Sequence, residues 1–144
     1  MPYLIAEFSP YGSSFLALYL LLVMVFLQAL VASVAHRAQK SYVPGIVDEK
    51  LGPESFVFRS HRTFMNSLEN VPFMIALVLL AVFTGFDAWW LALLCWVYVL
   101  CRLAHMVIYY LMATRKNPSL RSYFYLLALL AQLVLMVMLG ISWL

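Results

Sequence analysis

Arg59, Arg62, Asn66 and Glu69 stand in one short stretch ahead of a long apolar run. At about 100° per residue they share roughly an 80° arc of a helix, while His61 points away from it. Further on, Tyr98, Arg102, His105 and Tyr109 follow at spacings of 4, 3 and 4, again on one helix face. Arg121, Tyr125 and Gln132 repeat the pattern at spacings of 4 and 7. Guanidinium groups pair bidentately with carboxylates, and amides and phenols add hydrogen bonds, so three such stripes suit a small anionic ligand. The chain shows no carboxylate dyad, serine–histidine–acid set, glycine-rich phosphate loop or metal-ligand cluster. Any nucleophile has to arrive with the ligand.

The elements that must position these groups are membrane helices. Of 144 residues, 66% are apolar or aromatic and 10% are charged, and the mean hydropathy is +0.95. A soluble domain carries about a quarter charged residues. Four apolar segments, at about 13–34, 54–86, 88–113 and 119–144, are each long enough to cross a hydrocarbon core with roughly 20 residues of helix. The expected fold is therefore all-α, a single transmembrane four-helix bundle. The first segment is expected to stay in place although Ala32-Ser33-Val34-Ala35 resembles a cleavage site. Its apolar run is too long, and the leader contains Glu7 and no base. Cys95 and Cys101 lie six residues apart on different helix faces, which suits packing better than a disulfide or metal pair.

Charge placement orients the bundle. Arg37, Lys40, Lys50, Arg59 and Arg62 lie in the loop between the first two segments or at its helix edges, and Arg115, Lys116 and Arg121 likewise between the last two. The net charge of +3 thus reports topology and not nucleic-acid binding. Both long loops are expected on the cytoplasmic side and both termini opposite. The membrane is either the plasma membrane or the endoplasmic reticulum; no terminal retention signal selects the latter. Gly52-Pro53-Glu54-Ser55 is a start signal for the second helix, and Asn117-Pro118-Ser119 for the fourth, with Ser119 as N-cap.

Arg102 lies about 12 residues, or roughly 18 Å, inside the third helix. A lone arginine there costs at least ~2.5–3.5 kcal/mol, so it needs a partner. Glu69 reaches a similar depth. The pair reads either as a structural bridge between two helices or as part of a ligand cradle. Arg121 alone would equally suit a side chain snorkelling to the membrane boundary.

The residues Arg62-x-x-x-Asn66-x-x-Glu69-x-x-Pro72, Arg102-x-x-His105-x-x-x-Tyr109 and Arg121-Ser122-x-x-Tyr125 resemble the membrane-associated proteins in eicosanoid and glutathione metabolism, the MAPEG family. The likeness runs from about Glu54 to Leu129 in matching helix order. The middle motif is more similar to the microsomal glutathione transferase and prostaglandin E synthase branch than to leukotriene C synthase. The resemblance implies a homotrimer with glutathione, as co-substrate, bound between subunits on the cytoplasmic side. It implies that Arg37, Arg62, Asn66 and Glu69 of one subunit, with Arg102, His105, Tyr109, Arg121 and Tyr125 of its neighbour, hold the tripeptide. Phe58 departs from the pattern: several relatives carry an acid there.

The activity so implied is thiolate activation by Arg121, assisted by Ser122 and Tyr125, for attack on a lipophilic electrophile taken from the bilayer. Reduction of lipid hydroperoxides is a related outcome. Two alternatives stay open: a glutathione-dependent isomerase of the prostaglandin E synthase type, and a non-catalytic lipid-binding member of the family. A channel or transporter fits less well, because no interrupted half-helices are present.

Overall fold

The computed structural model describes residues 8–116 and 118–144; Glu7 and Asn117 lie outside them. A 3₁₀ turn, Ser9–Tyr11, leads into α1 (Gly12–Arg37), followed by α2 (Phe56–Phe83), α3 (Ala88–Leu111) and α4 (Leu120–Ile141). All four helices are long and apolar enough to cross a membrane, and the described residues contain no strand. This is the all-helical transmembrane bundle that composition predicts, and the chain is a multi-pass integral membrane protein.

Each helix buries one stripe at spacings of three and four residues. On α2 it runs Ser60, Thr63, Ser67, Val71, Met74, Val78 and Ala81. On α1 it includes Ser14, Ala17, Leu21, Met24 and Gln28, and on α4 Ala128, Ala131, Leu135 and Leu139. Lipid offers no hydrophobic drive between helices, so small residues at the seams favour association by letting backbones approach. The helix α3 is central, packing on all three others, whereas α4 leans almost wholly on α3.

Backbone chemistry decides where the helices stop, and here the observed limits differ from those read off hydropathy. The second helix starts at Phe56 with Ser55 as N-cap, leaving Pro53 and Glu54 in a preceding turn. The cause is Arg59, whose Nη1 donates to the carbonyls of Pro53 (2.8 Å) and Glu54 (2.9 Å). Its Nε donates to the Tyr110 carbonyl on α3 at 3.4 Å. Arg59 thus binds backbone and leaves the polar stripe of α2. The other end of α2 closes by a Schellman motif, with Phe86 N–H donating to Ala81 O (2.9 Å) and Gly85 N–H to Val82 O (3.2 Å). Gly85 has φ +69°, the left-handed region that a side chain would strain. Pro72 sits inside α2 without ending it, at the cost of the bond its N–H would have made to Leu68. Asp87 caps α3 by accepting from Trp89 and Trp90 N–H at 3.0 and 2.9 Å.

Candidate functional site

The predicted N-cap Ser119 begins α4 in a capping-box arrangement completed by Ser122. The Ser122 hydroxyl accepts the Ser119 N–H at 3.2 Å and stands 3.4 Å from the Ser119 hydroxyl. This cap sets the first turn of α4 against the last turns of α3, where Arg121, Tyr125, His105 and Tyr109 converge. The Arg121 guanidinium lies over the Tyr109 ring, 4.0 Å from its centroid, a cation–π geometry that holds the charge without neutralising it. The His105 ring lies 5.6 Å from Tyr109 and 6.0 Å from Tyr125, centroid to centroid. Its Nδ1 is 2.9 Å from the Arg121 carbonyl. A carbonyl only accepts, so this contact assigns the proton of a neutral ring to Nδ1 and leaves Nε2 as an acceptor.

Arg102 is 2% exposed. Its Nη1 donates to Asn66 Oδ1 at 2.7 Å and its Nη2 to Ser67 Oγ at 3.0 Å. The ion pair with Glu69 expected from depth alone does not form. Glu69 is exposed on α2, and the single ion pair among the described residues joins Arg115 to Glu54 at 3.1 Å. Helical phase explains the difference: Asn66 and Ser67 turn toward α3, whereas Glu69 turns out of the subunit. Arg102 is therefore a buried cation whose direct hydrogen-bond partners are polar and neutral, with no ion pair to it among the described residues.

A cavity of about 340 Å³ opens beside this cluster, lined by Asn66, His105, Pro118, Arg121, Ser122, Tyr125 and Leu126. Two of its lining residues carry buried polar atoms without a partner, His105 Nε2 and Arg121 Nη1, as do Arg102 Nε and the Tyr98 hydroxyl on residues that do not line it. Orphans of this kind cost about 1–3 kcal/mol each unless a ligand or water meets them. At the cavity itself these are one cationic donor, Nη1, which suits an acceptor atom, and one acceptor, Nε2, which suits a donor.

Within one chain, then, the structure gathers Asn66, Arg102, His105, Tyr109, Arg121, Ser122 and Tyr125. It does not bring Arg37, Arg62 or Glu69 to them. Arg62 and Glu69 are exposed, and Arg37 lines a different cavity between α1 and α2. Ser67 is the participant that spacing did not single out; a small hydroxyl on a packing stripe carries no signal until its partner is known. Gln132, on the Arg121 stripe, is half-buried with its Oε1 unpartnered, and it is not among the residues lining the cavity. Among the described residues no group of histidines, cysteines or carboxylates could hold a metal.

A polytopic helical bundle with a cavity at one end lined by Asn66, His105, Arg121, Ser122 and Tyr125 defines the class: a multi-pass membrane protein. The family model of the MAPEG family matches residues 13–141, and the chain belongs to that family. No curated protein and no solved structure matches it. The family contains glutathione transferases, prostaglandin E synthases and non-catalytic members.

Proposed function

We propose that this protein is a membrane-embedded glutathione transferase that ionises the glutathione thiol and directs the thiolate onto lipophilic electrophiles. The observation that carries the reading is Arg121. Among the described residues its guanidinium has no acid partner; it has one buried Nη1 without an acceptor and a place in the wall of the cavity. A free thiol has a pKa of about 8.5 and is only a few per cent ionised at pH 7. Lowering it by two units requires about 2.7 kcal/mol of differential interaction, within reach of one guanidinium in a partly dry site. The thiol proton leaves to water, the sulphur forms its bond to the electrophilic carbon, and that carbon releases its leaving group with the bonding electron pair.

Arg102 and Asn66 are assigned to a carboxylate of the tripeptide, Tyr109 and Tyr125 to its flanks, and His105 Nε2 to one of its N–H donors. Ser122 can donate its hydroxyl proton to the sulphur while its oxygen caps α4. Arg62, Glu69 and Arg37 join the site from a neighbouring subunit of a homotrimer, with both polar loops in the cytoplasm.

The test is the ultraviolet difference spectrum of the detergent-purified protein on adding glutathione, which reports bound thiolate, alongside turnover of a chloronitrobenzene electrophile. Arg121→Ala is expected to abolish the thiolate band and to lower turnover at pH 7 about 25-fold, the fall in ionised thiol when its pKa returns from about 6.5 to about 8.5. A band and turnover unchanged in the variant would pass the activating role to Tyr125 or Arg102. No band and no turnover in the wild type would overturn the transferase reading in favour of the lipid-binding one.

A further inference from the structure

A thiolate is stabilised only if the charge beside it stands in one place. Arginine has among the highest rotamer entropies of any side chain, so several contacts have to fix Arg121. Three do so. Its face lies over the Tyr109 ring at 4.0 Å, its Nη2 donates to the Thr114 carbonyl at 3.4 Å, and its backbone carbonyl stands 2.9 Å from His105 Nδ1. The third contact differs from the others: it fixes the helix that carries Arg121 and not the guanidinium itself.

The buried stripe of α4, which leans on α3, is Ala128, Ala131, Leu135 and Leu139. An apolar seam of this kind resists separation but sets no exact register. Among the described residues, the His105 contact is the one side-chain hydrogen bond that joins α3 to α4. A carbonyl has two lone pairs, so Arg121 O can accept it without leaving the helix ladder. The imidazole is 5% exposed, which keeps water from competing for the bond. Its ring also packs edge-on against Tyr109, at 5.6 Å and 63°. One side chain therefore sets both the backbone of Arg121 and the aromatic ring under its guanidinium.

We propose that His105 is a positioning residue for thiol activation, fixing through Nδ1 and its ring edge where the Arg121 charge stands. The inference rests on the transferase reading above and adds a role that glutathione binding does not require. Nδ1 serves Arg121, while Nε2, on a residue of the cavity wall and without a partner, serves the ligand.

Two substitutions separate the nitrogens. Asparagine carries its amide nitrogen on Cγ, as histidine carries Nδ1; glutamine carries its amide one bond further out, near the place of Nε2. The thiolate band and turnover are measured against pH and glutathione concentration on the detergent-purified full chain. In His105→Gln the midpoint of the band is expected to rise by about one pH unit from about 6.5, because Tyr109 and Thr114 still hold the guanidinium. Turnover at saturating glutathione then falls about threefold at pH 7 and recovers by about pH 9, with KM little changed. In His105→Asn the midpoint is expected to stay, while KM rises about fivefold, as loss of one neutral hydrogen bond implies. Solid-state NMR of the wild type with isotope-labelled histidine depends on no variant folding, and is expected to find the His105 proton on Nδ1. A proton on Nε2 would overturn the proposal. So would a midpoint unchanged in His105→Gln, or one moved equally in both variants. Absence of the band in the wild type is a separate result, which removes the transferase reading and this role with it.

Discussion

Burying the Arg102 guanidinium without a carboxylate beside it carries a desolvation cost of several kcal/mol, which hydrogen bonds to Asn66 and Ser67 offset only in part. A folded chain tolerates such a cost where function needs the charge. Replacing the residue by an apolar side chain of similar length should then help folding while removing an anchor for an anion. Arg102→Met is expected to unfold at a temperature no lower than the wild type, yet to bind glutathione at least about tenfold more weakly. Thermal unfolding and the thiolate difference spectrum, measured on the same preparation, check both halves. A variant that loses several degrees and keeps its affinity would make Arg102 a structural bolt between α2 and α3. Arg59 shows the opposite assignment. It shares the α2 stripe by spacing, but its donors are consumed by three backbone carbonyls.

Helix ends decide which of these side chains face the cavity, and the first turn of α4 matters most. The Ser122 oxygen serves the Ser119 cap, so removing it costs stability whatever its part in catalysis. Ser122→Ala is expected to destabilise by about 1 kcal/mol, the usual worth of a cap. Its thiolate band should persist, with turnover reduced only a few-fold; complete loss of the band would instead make this hydroxyl the main activator. At the start of α2, the Glu54 carboxyl is held below its ordinary value of 4.5, first by its own backbone N–H and then by Arg115. A depressed carboxyl stabilises the fold above its unfolded pKa, and the contribution is lost as pH falls through the folded value. Both groups are exposed, so the effect is small and salt-screened. Melting temperatures of wild type and Arg115→Gln should differ slightly at pH 7, converge below pH 4.5, and converge at high salt too. The spans themselves were legible in the sequence because length and hydropathy alone set them. So was the Arg102–His105–Tyr109 face, since a regular helix preserves phase. The limits of α2 were not, because Arg59 reaches backward to carbonyls that no local rule assigns to it. The Arg102 partner was missed for a related reason. Depth pointed to Glu69, but phase, visible only once α3 is placed, points to Asn66 and Ser67. His61 does turn away from the polar stripe as expected; what it turns toward depends on the α1–α2 loop, which hydropathy does not describe.

The molecule as a whole has a polar set divided between two surfaces. Asn66, His105, Arg121 and Tyr125 line one cavity, with Arg102 bonded to Asn66, whereas Arg62 and Glu69 look outward from α2. Glu69 follows the first residue of α2 by 13 positions, roughly 20 Å along the helix. A carboxylate facing hydrocarbon at such depth is unfavourable, and charged side chains within membrane spans face protein or water. A second copy of the chain laid against this face would cover Glu69 and complete the cationic cavity in one step, since a closed ring repeats the same contact at every interface. Complementation distinguishes this arrangement from a site contained in one subunit. Glu69→Gln disables the outward half and Arg121→Ala the inward half, so each variant alone should lack the thiolate band. Co-expressed with different affinity tags and purified through both, the mixture must regain activity if the halves come from neighbouring subunits. With random assembly about a quarter of all interfaces pair two intact halves, and selection for mixed rings raises that share. Recovery of turnover near this level, in particles of three 16.5 kDa chains by native mass spectrometry, is the expected result. No recovery from verified mixed oligomers would confine the site to one subunit and leave Glu69 needing lipid headgroups or water as its partner.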